Sequence, residues 1–157
     1  MITSTNTSIL AGDLTSAHDT QKMAPGTLAK DGDGNTYIYL KGVASTADGD
    51  FVVYDETYQT ARLTANAVGE VAVAQAAVGA SQYGWYMRTG FDSAANIASG
   101  TTDNKQLYAT STAGRASATK VVGDMILGAV GRGGNATSNS GGVQLSNPRV
   151  TDVIPAA

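Results

Sequence analysis

The sequence predicts an all-β domain, a small sandwich or barrel built from an internally duplicated β unit and preceded by an extended N-terminal arm. Three observations lead there. Short runs of β-branched and aromatic residues recur between Gly/Asn/Asp turns. Side chains alternate with period two at 36–41, where Ile38 and Leu40 oppose Tyr37, Tyr39 and Lys41, and at 143–146, where Val143 and Leu145 oppose Gln144 and Ser146. A skeleton of landmarks also appears twice. Tyr54 is followed at fourteen residues by Val68-Gly69-Glu70 and then Ala77-Val78-Gly79; Tyr108 is followed at fourteen by Val122-Gly123-Asp124 and then Ala129-Val130-Gly131. An Arg lies between the landmarks of each copy, Arg62 and Arg115, with an offset that differs by one residue.

The 157 residues suit one domain with an arm and suffice to bury a core without covalent staples. The expected organisation is an arm over 1–30, one β domain over 31–150 with pseudo-repeats at about 36–80 and 83–131, and a tail over 151–157. Charged residues make up 15% of the chain, against about a quarter in ordinary domains, and glycines number 19, so the surface is largely neutral and polar. A formal net charge of -3 offers no positive field for a nucleic-acid backbone. With no cysteine, disulfides, thiolate nucleophiles and cysteine metal sites are ruled out together. The N-terminus lacks a basic start and a signal-length apolar run, and no stretch approaches the roughly 20 apolar residues that span a bilayer. A soluble chain made in a cytoplasm, with no membrane partner, is the expectation.

In order, residues 1–30 are rich in Thr, Ser, Asn and Ala, with Ile2, Ile9, Leu10, Leu14 and Met23 in neither helical nor strand period. This reads as an arm able to bury those few apolar side chains on a neighbouring subunit. Residues 31–35 (DGDGN) form a turn. Strands follow at 36–41 and 51–54, the latter turning through 55–60 into 61–64 as a hairpin. Residues 65–80 hold helix-favouring alanines, but Gly69 interrupts them and Val71 and Val73 alternate with Ala72 and Ala74; strand is preferred because the second copy carries Met125-Ile126-Leu127 in that place. The run 83–88, with Tyr83, Trp85 and Met87 on one face and Gly84, Tyr86 and Arg88 on the other, is the candidate for the core's aromatic anchor. Residues 91–104 read as a surface insertion, 105–109 pairs with the run after Gly114-Arg115, 121–130 closes the second unit, and 131–142 reads as a flexible loop before a last short strand at 143–146.

Candidate chemistry is sparse. Asp31, Asp33 and Asn35 occupy the first, third and fifth places of a hand-type calcium loop, yet Thr36 stands where Gly is needed and Gly42 where the bidentate Glu is needed, so a plain Asp-Gly turn is the preferred reading. His18, the single histidine, lies in the polar arm and is expected to be solvated and inert. The glycine-rich 131–142 run lacks a Gly-Lys-Ser/Thr ending and is no phosphate cradle. No nucleophile, base and orienting group assemble without arbitrary choice among Ser, Asp and Glu, so no enzyme is expected, and no catalytic, cofactor or metal residue is assigned. The tyrosine-rich strands serve as core or subunit interface, with a sugar-stacking platform as the alternative.

The polar arm, the hairpin GDFVVYDETYQTARLT, the segment VGEVAVAQAAV with its echo VGDMILGAVGRG, and the closing GVQLSNPRV together resemble the small decoration, or cement, proteins of tailed-bacteriophage heads, over roughly residues 28–150. The resemblance implies a β-rich homotrimer on the outer capsid surface of the virion, stabilising junctions between subunits of the major capsid protein without catalytic residues. On that reading Ile2, Ile9, Leu10 and Leu14 are the partner-binding residues. A carbohydrate- or receptor-binding β module of a phage tail or bacterial surface is the alternative.

Overall fold

In a computed structural model, residues 11–137 and 139–152 are described. The regular structure of the described residues is all-β apart from one helical turn, α1 (Ala11–Leu14). The strands are β1 (Leu28–Lys30), β2 (Thr36–Lys41), β3 (Phe51–Tyr54), β4 (Thr60–Arg62), β5 (Gly69–Ala74), β6 (Tyr83–Ala95), β7 (Lys105–Ala109), β8 (Ala116–Ser117), β9 (Met125–Thr137) and β10 (Ser140–Val150). All their pairings within one sheet are antiparallel, in the order β1-β2-β6-β5-β10-β9-β7-β8, with β3 joined to β4 and β5.

The duplicated unit is visible in the pairing. In the first copy β3 pairs with the short β4 on one side and with β5 on the other. In the second, β7 pairs with the short β8 and with β9. The landmark tyrosines hold matching places: Tyr54 lies opposite Thr60 and Glu70, and Tyr108 opposite Ser117 and Met125.

Strand β6 bends the sheet. Its first half pairs with β2 and β5, and beyond Thr89 it pairs with β10 instead. Because one long strand serves two neighbourhoods, the sheet folds back on itself. Side chains from β1, β2, β3, β5, β6, β7, β8, β9 and β10 thus meet in a single core around Tyr39, Phe51, Leu63, Trp85, Ile97, Leu107 and Ile126. A second, smaller cluster, Ile38, Leu40, Val52, Ala72, Ala74, Val78 and Tyr86, lies on the reverse face of β2, β3, β5 and β6. Two-sided burial accounts for the alternation at 36–41, where aliphatic residues enter one cluster and tyrosines the other.

Two readings from sequence are corrected. Residues 91–104 are not a surface insertion throughout: β6 continues to Ala95, and Ala95 and Ile97 are buried. Residues 131–142 are not a flexible loop either, because β9 runs to Thr137 and β10 starts at Ser140 as a long hairpin. Glycine there is required by close approach: a Cβ on Gly142 would fall 2.2 Å from the carbonyl oxygen of Arg132. Composition signalled a loop where the backbone needed the missing side chain.

Candidate interaction surface

Among the described residues the large exposed apolar side chains gather mainly at corresponding corners of the two units. In the first unit Val68 (68% exposed) and Tyr58 (39%) border an open groove of about 810 Å³ that also takes in Tyr54, Glu56, Gln59 and Glu70. In the second, Val122 (60%), Val121 and Leu127 border a cleft of about 360 Å³ with Tyr108, Lys120 and Thr151. Tyr54, Val68 and Gly69 of one groove thus correspond to Tyr108, Val122 and Gly123 of the other, as the repeat spacing orders them.

The charges at these corners differ in sign. Every charged residue lining the first groove is acidic: Asp55, Glu56 and Glu70. Glu70 is half exposed and stands 3.9 Å from Arg88. Its counterpart Asp124 is buried, accepting the backbone N–H of Asn66 at 2.6 Å, and the charged residue of the second cleft is Lys120. The first groove is also firmly built. Asp55 Oδ1 accepts the backbone N–H groups of Thr57 and Gln59 at 2.9 and 3.0 Å and the Thr57 hydroxyl at 2.7 Å, fixing the β3–β4 turn. Those bonds, the Thr57 hydroxyl's above all, hold the Asp55 carboxyl below its ordinary range. Tyr58 adopts a left-handed backbone (φ 61°) with its ring against the backbone of Gly26, where a Cβ would approach the ring to 2.5 Å.

The aromatic strands are core. Trp85 is 1% exposed, Tyr39 and Tyr86 are fully enclosed, and Tyr37 is buried. Trp85 and Tyr86 therefore present no face on which a sugar ring could stack. Burial pushes the Tyr86 phenol up to about 12.

Asp31 is the keystone of its turn. Oδ1 accepts the backbone N–H groups of Asp33 and Asn35 at 3.0 and 2.9 Å, and Oδ2 accepts the Asn35 amide and the Tyr37 hydroxyl at 2.7 and 2.8 Å. Burial alone raises its pKa, but these bonds, led by the Asn35 and Tyr37 side chains, outweigh it and hold the carboxyl below its ordinary value. Both oxygens are engaged in turn chemistry.

The N-terminal segment is where sequence reasoning departs most from the structure. Ile2, Ile9 and Leu10 lie outside the described residues. Leu14 is half-buried and packs on this chain's own main core. His18 is not solvated: it is 5% exposed and exchanges two backbone hydrogen bonds with Tyr83, at 2.7 and 2.9 Å. Its Nδ1 lies 3.0 Å from the Tyr39 hydroxyl, and Nε2 lies 3.7 Å from Asp13. Burial, with Lys22 nearby, lowers its pKa, and Asp13 opposes the shift. Polar neighbours in the sequence concealed a residue that adds a bridge to the edge of β6.

No protein-family model, curated protein or solved structure matches the chain. Among the described residues no helix is long and apolar enough to cross a membrane, and no group of three or more His, Cys, Asp or Glu is placed to hold a metal ion.

Proposed function

We propose that this chain is a non-enzymatic structural protein of a virion, binding the outer surface of a tailed-phage capsid, assembling with copies of itself as a homotrimer, and stabilising junctions between subunits of the major capsid protein. The observation that carries this reading is the pair of related apolar corners, one per β unit, on a body whose strands share one core. Two contact points on a rigid scaffold suit a member of a repeating surface array, since modest contacts multiply when every copy makes them. The low share of charged residues in the chain favours close protein contact over long-range electrostatics. Made in the host cytoplasm, the chain would reside on the particle exterior.

Sedimenting phage particles and quantifying this chain by mass spectrometry against the most abundant shell protein tests the reading. A copy number comparable to the shell subunit is expected, and absence from particles refutes it. The arm's part is tested by removing residues 1–10, which carry Ile2, Ile9 and Leu10 and leave the His18 bridge in place; full-strength attachment after that deletion would refute a role for those side chains.

One observation favours the second reading, a carbohydrate- or receptor-binding module: the first groove combines Tyr54, Tyr58, Gln59 and carboxylates in the mixture that binds sugars through ring faces and hydroxyls. Glycan binding that disappears on Tyr58→Ala with folding intact would support it over the capsid reading.

A further inference from the structure

We infer that the two grooves are complementary halves of a contact between copies of this chain, with the turn carrying Lys120 and Val122 of one copy seated in the Glu56/Glu70 groove of the next. Three observations support the pairing. The two sites occupy corresponding places in the duplicated unit, so each presents a tyrosine at the groove and an exposed valine on the rim. Their lining charges are opposite in sign, Glu56 and Glu70 in the first against Lys120 in the second, with Asp124 buried on the backbone of Asn66; the flanking counter-charges are Arg88 beside Glu70 and Asp152 beside Gly123. Residues 119–122 are exposed without interruption in the turn between β8 and β9, so a groove on another molecule can receive them.

Burying Val121 and Val122 against Val68 and the Tyr58 ring removes apolar surface from water on both sides. Lys120 then meets the Glu56 carboxylate at the groove's edge, which fixes the register and rejects a neighbour turned the wrong way. A lip on one copy filling a groove on another is a contact between unlike surfaces. It closes as a ring when the rotation between copies permits, and as a reciprocal pair when a twofold axis relates them.

The inference rests on the self-assembly part of the reading above and names its contact, and it can fail separately from attachment to the shell. Sedimentation velocity and light scattering on the purified full-length protein, across concentration and salt, test it. The wild type is expected to associate, less strongly as salt rises. Lys120→Glu and Glu56→Lys, each introducing like charges, are expected to raise the dissociation constant about tenfold or more. The double variant K120E/E56K, with the charges exchanged, is expected to recover most of the loss. Circular dichroism and thermal melting of each variant establish that the fold is intact, and Asp33→Asn serves as an exposed charge control far from both grooves in the sequence. A wild type that stays monomeric overturns the inference, as does association that both single variants leave unchanged or that the double variant fails to restore. Particle binding by a monomeric chain would leave attachment to the shell standing and remove this inference together with the homotrimer.

Discussion

Arg62 and Arg115, the corresponding arginines of the two β units, converge on one enclosed carboxylate. Arg62 donates Nε to Asp50 Oδ2 at 2.8 Å, while Arg115 donates Nε at 3.2 Å to Asn96, whose amide donates to Asp50 Oδ1 at 2.8 Å. Asp50 is fully buried and also accepts the backbone N–H of Ala47. The network ties the first unit, the end of β6 and the second unit together, and backbone bonds reinforce it: Phe51 donates to Gly114, Gly114 to Leu63, and Ala65 to Thr110.

Removing one partner of a buried ion pair leaves the other charge without compensation. Arg62→Ala is expected to cost about 3 kcal/mol, at the low end for such pairs because the Arg62 side chain keeps 30% exposure. Arg115→Ala, which reaches the carboxylate only through Asn96, is expected to cost about 1 kcal/mol. Urea denaturation of both variants checks the order; equal costs would mean that the network is not centred on Asp50.

The same carboxylate constrains its neighbour from the second unit. Gly114 has φ +79°, and a Cβ there would lie 2.5 Å from the Asp50 carboxyl carbon. Gly114→Ala therefore combines a left-handed backbone with a clash against an atom that three hydrogen bonds hold in place. A loss of about 2–4 kcal/mol is expected in thermal or chemical melts. Pairing it with Asp50→Ala removes the clash, so the two losses should be markedly less than additive.

Much of this architecture was legible because a strand's side-chain period is short and local. The alternation at Ile38 and Leu40, the β3–β4 hairpin and the repeat of Tyr54 at Tyr108 could all be read directly. What stayed hidden depends on partners distant in sequence. Gly142 belongs in a strand because Arg132 comes close, Ile97 is buried because Ala116 bridges to it, and His18 is enclosed because Tyr39 and Tyr83 wait across the fold. The grooves were half legible: the repeat placed Val68 and Val122 in correspondence, but nothing local indicated that Glu70 would be exposed and Asp124 buried.

Trp85, the chain's single tryptophan, reports directly on the core. It is 1% exposed and packs with its ring centroid 5.1 Å from that of Tyr39. Its native fluorescence is expected to be blue-shifted, resistant to acrylamide and unchanged by added sugars. Trp85→Ala is expected to cost about 3–5 kcal/mol through the cavity it leaves. Emission at the wavelength of free tryptophan, or a response to glycans, would return the aromatic strands to the surface.

His18 gives the N-terminal segment a pH dependence. The ring faces Tyr39 from β2 and, from its own segment, Asp13 with Lys22 beside it; the Tyr83 ring of β6 stacks on Tyr39, and the His18 backbone is bonded to Tyr83. Burial disfavours the charged ring, and Lys22 adds to the effect, so the folded pKa lies below the ordinary 6.5. A group that binds its proton less tightly when folded contributes its stabilisation fully above the unfolded pKa. That contribution declines as pH falls below 6.5 through the folded value. The His18 ring protons should therefore titrate below 6.5 in NMR spectra, and the Tyr39 and Tyr83 ring signals should shift with the same midpoint as the bridge loosens. Mild acid should also open residues 11–27 to proteolysis before the sheet melts, and His18→Phe, which keeps the ring without the titration, should abolish that step. A midpoint above 6.5 would mean that Asp13 dominates the ring's environment, and acid would then strengthen the contact.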